Sequence, residues 1–443
     1  MTLDIAIIGT GPAALAAAIT ARRICPKAQI TVYDIGRTAE TPDQMVANLS
    51  SLKLYDNLSF SYDQNEFLNL QWNSLDTKVY SSAGFGGFSR VWGAVIDDNP
   101  VSISHNITGA TEVIKSKLVT SSGLSMHFKI SKRIASSQNS SFELLNHSLA
   151  VDETKCINCG MCMKRCPTES IWFAGMSWDE LENISFVHNA FIIRVFESDE
   201  RVTLLTGSGS YVHTSLIVAA GAIGSAALLM RSDYLPKRIE LCDSQLIVLP
   251  IFRLPIVERR GRFSLSQISA KIKLPNGRFG HLQIYPDTRS ILEELQKRSA
   301  IARFIPKKLL NFFTHFLSIG FVYLNSEDSH RLILEESEKD FLLSKKENIQ
   351  TPKVYDWIQN TLPKFFWSCG YWIPKYFFSL EPVGSSFHIG GTSSVNDDLQ
   401  ANKFQNILVV GSITHSNVDP GPITSRIITE TISDVTAFLD NGK

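Results

Sequence analysis

Four cysteines stand close together in Cys156-Ile-Asn-Cys159-Gly-Met-Cys162-Met-Lys-Arg-Cys166-Pro167. Thiolates at this spacing can wrap around an iron–sulfur cube, and the chemistry that follows is electron transfer. Zinc would want two separated cysteine pairs, or a cysteine pair followed by a histidine pair, and neither follows here. The chain has seven cysteines, too few to supply two complete cubes, so one four-iron cluster is the most that fits. Cys156, Cys159 and Cys162 are the expected ligands. The last iron takes Cys166 by a local fold-back, Cys242 or Cys369 from elsewhere, or no thiolate, and Cys166 is preferred.

A second set of residues with chemical meaning lies at the front. Ile5-Ala-Ile-Ile-Gly9-Thr-Gly11-Pro-Ala-Ala14 reads as a buried strand running into glycines, followed by an alanine-rich helix to Ile24 and a second strand, Ile30 to Asp34. Gly9 allows a tight turn, Gly11 lets the backbone approach a pyrophosphate, and Ala14 lets helix and strand pack closely. The helix N-terminus then faces the anion, and Asp34 is placed to bind ribose hydroxyls. This is a complete dinucleotide-binding unit, and no second one appears, which disfavours a direct NAD(P)H partner.

Three further segments carry a family resemblance. Gly84-Phe-Gly86-Gly87-Phe-Ser89-Arg-Val-Trp92-Gly93 resembles the flavin-holding loop of the glucose-methanol-choline (GMC) oxidoreductases. Val218-Ala-Ala-Gly221-Ala-Ile-Gly-Ser225 resembles that family's strand-to-helix turn, with Ala226 where proline is common. His388-Ile-Gly-Gly391-Thr392, followed by Ile407-Leu-Val-Val-Gly411-Ser412, looks like its C-terminal motifs. The resemblance implies FAD, with Gly86, Gly87, Ser89, Trp92, Gly93, Gly221, Gly411, Ser412, Pro422 and Thr424 at the cofactor. It also implies that an alcohol C–H gives hydride to the flavin while His388 takes the hydroxyl proton. An imidazole suits that task because it titrates near neutrality; the competing reading is a hydrogen-bonded core histidine. The family's second His or Asn falls on Gly421-Pro422, registered on Thr424, where there is no functional side chain. Asn417, Asp419 or His415 replaces it, or the chemistry is altered. The cysteine run, for its part, resembles the cluster segment of bacterial ferredoxins.

Positioning these groups calls for an α/β chain: a Rossmann-like FAD/NAD(P)-binding fold, an antiparallel-sheet substrate domain and an inserted ferredoxin-like Fe–S segment. The expected flavin domain is discontinuous, 1–110, 185–240 and 385–443, with the insertion at 111–184 and the substrate-binding domain at 241–384. His281 to Tyr285 and Arg331 to Glu335 are expected strands of the substrate sheet. Gly207-Ser-Gly209 is the expected turn of a hairpin between Val202–Thr206 and Tyr211–Val218.

At 443 residues with 44% hydrophobic content the chain can bury a large core, and its 43 basic residues balance 43 acidic ones. No global field draws nucleic acid, which is excluded as the main partner. The start lacks the basic flank of a secretory signal, and cysteines spent on a cluster fit a reducing cytoplasm. Leu309 to Leu324 is too interrupted by polar residues to span a bilayer. The aromatic run from Phe365 to Phe378 reads as a substrate-domain wall or as a sugar, lipid or peripheral membrane contact.

The expected function is oxidation of an alcohol, a sugar or polyol, with electrons leaving through a [4Fe-4S] cluster to an external one-electron carrier such as ferredoxin or a quinone. The alternatives are a ferredoxin-driven reductase of an unsaturated or carbonyl substrate, and a redox sensor or electron-transfer subunit without catalysis.

Overall fold

The computed structural model describes residues 3–36, 68, 70–72, 76–79, 84–90, 92–97, 113–114, 119–120, 141–157, 162, 166, 168–253, 265–285, 306, 317–338 and 340–441. Its centre is a five-stranded, wholly parallel sheet in the order Ile407–Val409, Ser215–Val218, Asp4–Ile8, Gln29–Asp34 and Ile184–His188. Strands covered on both faces read as continuous apolar runs, and Ile5, Ala6 and Ile7 are fully buried. Helix Pro12–Ile24 opens with proline, which lacks the N–H that a first turn leaves unpaired. Its alanines let it lie close to the sheet and to the C-terminal helix Thr424–Asn441.

The glycine turn at 207–209 closes a hairpin of Arg201–Thr206 with Ser210–His213. The second strand is shorter than expected. At Thr214 the chain leaves the hairpin, its N–H donating to Asp4 O at 3.0 Å, and Ser215–Val218 enters the parallel sheet beside Asp4–Ile8. One apolar run thus serves two sheets.

Over the cleft stands an antiparallel sheet in the order Tyr371–Trp372, Leu246–Arg253, Leu317–Tyr323, Phe279–Tyr285, Ile268–Lys273 and Phe142–Leu145. Phe279–Tyr285 is where the sequence places a substrate-sheet strand. Arg331–Glu336 is not in that sheet: it pairs with Arg238–Asp243 and Phe341–Lys346 in a separate mixed sheet. Helix Gln350–Ser368 covers the antiparallel sheet with Val354, Ile358, Leu362 and Phe366, a four-residue repeat on one face. The aromatic run divides: Phe366, Tyr371 and Phe378 are buried, while Trp367, Trp372, Tyr376 and Phe377 are exposed. Of Leu309–Leu324, residues 317–323 are a strand. Among the described residues no helix is long and apolar enough to cross a membrane.

Candidate active site

The C-terminal ends of the parallel strands open into a cavity whose wall includes Gly9, Gly11, Asp34 and Gly221. Gly9 has φ +107°, and a Cβ there would lie 2.5 Å from Ala219 O, so only glycine lets the two strand ends approach. Gly11 faces open space, with nothing within 4 Å of an added Cβ. Gly87 backs onto it, its own Cβ position 3.3 Å from Gly11 Cα. The N-terminus of helix Pro12–Ile24 therefore looks across a gap of bare backbone, the arrangement that receives a pyrophosphate. Ala14 stands behind the wall, fully buried.

The loops are stitched together by Thr10, which the motif reading passed over. Its hydroxyl donates to Asp34 Oδ2 at 2.7 Å and accepts from Gly86 N at 2.8 Å. Gly36 N donates to Asp34 Oδ1 at 2.6 Å. Burial pushes the Asp34 carboxyl up to about 6, against the opposing pull of the Thr10 and Gly36 hydrogen bonds and the Arg90 charge. A hydroxyl residue between two turn glycines was the available signal for Thr10.

Ser89, Trp92 and Gly93 line the same cavity, whereas Gly86 serves it through Thr10. Gly411, Ser412 and Thr424 line it from the C-terminal side; Pro422 does not reach the wall. Helix Thr424–Asn441 begins at the residue where the motif alignment places it.

His388 is on the wall too, its ring 4.7 Å from that of Tyr323. Its Nδ1 is buried with no hydrogen-bond partner among the described residues, and burial pushes its pKa down to about 4. The loop that presents it hangs on Asp243. That fully buried carboxylate accepts from Ser386 Oγ and, at 2.8 Å, from Gly384 N, while Ser386 Oγ also accepts from His388 N at 2.9 Å. Phe387, just before the histidine, is held at φ +65°, a strained value for a residue with a side chain.

None of the three expected replacements for a side chain at 421 reaches the cavity. Asn417 and Asp419 are exposed, Asp419 pairing with Arg426 at 3.1 Å, and His415 lies 2.6 Å from Glu430. A different residue fills the space beside Gly421, although it too is not among the lining residues. A Cβ on Gly421 would sit 2.8 Å from Nδ1 of His281, a buried histidine of strand Phe279–Tyr285.

The cysteine segment is sewn to the cavity wall. Trp92 Nε1 donates to Trp172 O at 2.8 Å, Ala174 N to Ser89 Oγ at 2.9 Å, and Trp178 Nε1 to Thr10 O at 2.8 Å. Cys156 and Cys162 pack against the core cluster that holds Trp172 and Trp178. Cys159 lies outside the described residues. Burial pushes the Cys166 thiol up, but hydrogen bonds from Thr168, Ser170 and Ile171 outweigh it and leave the pKa lowered, which suits a thiolate. Cys242 is of the opposite kind: its thiol donates to Gly391 O at 2.6 Å, and burial pushes it up to about 12. Cys369 belongs to the core under helix Gln350–Ser368.

Residues 149–172 match the 4Fe-4S binding domain family. Three solved structures share the architecture along 99% of this chain and 99% of theirs. They are pyridoxine 4-oxidase from Mesorbium loti (TM-score 0.64, 13% identity), a fungal aryl-alcohol oxidase (0.55, 10%) and an FAD-dependent oxidoreductase from Chaetomium thermophilum (0.54, 11%). No curated protein matches the sequence. The chain thus has the fold that its GMC-like motifs imply, with a 4Fe-4S segment in addition.

Proposed function

We propose that this protein is an FAD- and [4Fe-4S]-dependent oxidoreductase that oxidises an alcohol carbon at His388 and passes the electrons to an external one-electron carrier. The observation that carries the reading is that one cavity joins a dinucleotide cradle to an imidazole whose buried Nδ1 has no partner among the described residues. When bound, flavin supplies a two-electron acceptor and the cluster a one-electron relay. The cradle fits such a group: Gly11 leaves room beside a helix N-terminus, and Asp34 ends its strand on the cavity wall, a carboxylate that would take ribose hydroxyls. For the cluster, Cys156, Cys159 and Cys162 would hold three irons and Cys166 the fourth, since it already accepts Ser170 N at 3.0 Å.

Burial keeps His388 neutral, the form that accepts a proton from a hydroxyl. Phe387 and the Asp243–Ser386 tether fix the direction in which the ring points. Around it the wall carries Leu246, Tyr285, Phe321, Tyr323 and Phe387, a lining that favours a flat, largely apolar alcohol over the sugar or polyol expected from sequence. The names of two of the structural neighbours, a pyridoxine oxidase and an aryl-alcohol oxidase, are in keeping with a ring-bearing substrate.

The test is anaerobic purification with assay of flavin, iron and sulfide, followed by mixing with benzyl alcohol and pyridoxine. The expected result is stoichiometric FAD, about four irons per chain and bleaching of the flavin absorbance. A protein free of FAD sinks the proposal.

A further inference from the structure

We propose that His281 is the second histidine of the active site, filling from the substrate sheet the space left by Gly421 and donating a hydrogen bond that holds the substrate oxygen against His388. The inference rests on the reading of His388 as the proton acceptor.

Its geometry starts from strand register. His281, Gln283 and Tyr285 alternate onto one face of strand Phe279–Tyr285. Directly across from them stand Tyr323, Phe321 and Ile319. Tyr285, Phe321 and Tyr323 all line the cavity, so this face is turned toward the site. Tyr323 connects the two histidines: it is the cross-strand neighbour of His281, and its ring lies 4.7 Å from the ring of His388. Directly opposed residues keep their Cβ atoms about 5 Å apart. The two imidazoles therefore flank one tyrosine.

Glycine at 421 makes room for this. With φ +117°, Gly421 presents its bare Cα to the His281 ring, and an added Cβ would fall 2.8, 3.1 and 3.3 Å from Nδ1, Cγ and Cε1. Two and three residues on, Ile423 and Thr424 belong to the cavity wall. The backbone beside the site has given up its side chain, and an imidazole from another element stands in that volume.

Hydrogen bonding sets the tautomer. Tyr285 O–H donates to Gln283 Oε1 at 2.6 Å, which turns the Gln283 amide nitrogen toward His281 Nε2, 3.3 Å away. An amide N–H can only donate, so Nε2 is the acceptor and the proton resides on Nδ1, the atom facing Gly421. His281 thus presents a donor beside Gly421, while the buried Nδ1 of His388 has no hydrogen-bond partner among the described residues. Burial, then His147 and His388, push the His281 pKa down to about 3, which keeps this division of labour across neutral pH.

The experiment uses the anaerobic holoenzyme in two readouts. In the first, 15N-histidine spectra at pH 7, assigned with His281→Asn and His388→Asn, should show His281 as a neutral Nδ1–H tautomer; an Nε2–H tautomer or an imidazolium overturns the proposal. In the second, stopped-flow bleaching by benzyl alcohol or pyridoxine should slow by about 10²–10³-fold in His281→Phe. His281→Asn, whose amide can still donate, should recover to within about tenfold of wild type, both variants keeping full flavin and iron. Slow bleaching in His388→Asn with wild-type rates in His281→Phe refutes this inference alone. Absence of bleaching in the wild type, or an unaffected His388→Asn, refutes the functional reading and takes this inference with it. If His281→Phe does not fold, the tautomer and the Asn variant decide: wild-type rates in His281→Asn with an Nδ1–H signal support the role.

Discussion

The indole N–H of Trp178 donates to the carbonyl oxygen of Thr10 at 2.8 Å, and Trp178 is 1% exposed. A residue just past the cluster segment thereby closes off the turn of the dinucleotide cradle. Trp178→Phe leaves that carbonyl without its donor and should cost about 1–3 kcal/mol; Trp178→Ala adds a cavity and should cost about 3–5 kcal/mol. Thermal melts followed by flavin fluorescence check this, and release at the wild-type temperature in Trp178→Phe refutes the link.

The two glycines of the turn should fail differently. Gly9→Ala meets Ala219 O at 2.5 Å on a backbone at φ +107°, so it should not yield stable protein. Gly11 has φ −69° and no neighbour within 4 Å of an added Cβ. Gly11→Ala should fold with a melting temperature within a few degrees of wild type in the cofactor-free form, yet bind FAD at least about tenfold more weakly, a loss of about 1.4 kcal/mol. Titration of apoprotein with FAD separates the two.

His388 carries a pH signature. Its pKa is about 4 in the folded chain against 6.5 when exposed, so between these values the unfolded chain holds the extra proton. Stability from this group is complete above pH 6.5 and is lost as pH falls toward 4. Asp34 and Asp243, both pushed up to about 6 by burial, work in the opposite sense, so the histidine is isolated by comparison with a variant. Relative to His388→Asn, wild-type stability should fall by up to about 1.4 kcal/mol per pH unit across that window. Parallel denaturation curves would show that the imidazole is not desolvated.

The fourth iron ligand can be found by counting metal. Cys166→Ser should lower iron and sulfide sharply and change the visible spectrum. Cys242→Ser should keep both, because the Cys242 thiol is already committed to Gly391 O, and Cys369→Ser should too, because Cys369 packs in a different core. Full metal content in Cys166→Ser would transfer the role to another group.

The cradle was legible in the sequence because it is local: strand, glycines, helix, second strand and acid follow one another within about thirty residues, and the order alone defines the unit. Thr10, Asp243 and His281 were not. Asp243 and Ser386 are 143 residues apart, and no spacing rule joins them. His281 sat inside an expected strand, but alternation reveals a strand and not its neighbours, so nothing pointed to Gly421. The same blindness put Arg331–Glu335 in the wrong sheet and ran Tyr211–Val218 through as one strand, since partner choice is made by tertiary packing. The positions tied to Asn417, Asp419 and His415 failed for a related reason: nearness in sequence to residue 421 did not bring them to the cavity.

The wall between the two redox sites is one wall, built by Trp92 on Trp172, Ser89 under Ala174 and Thr10 under Trp178. Maturation of such a molecule is therefore a joint event. Loss of iron should loosen the flavin as well, because the residues that follow the cysteines also brace the nucleotide cleft.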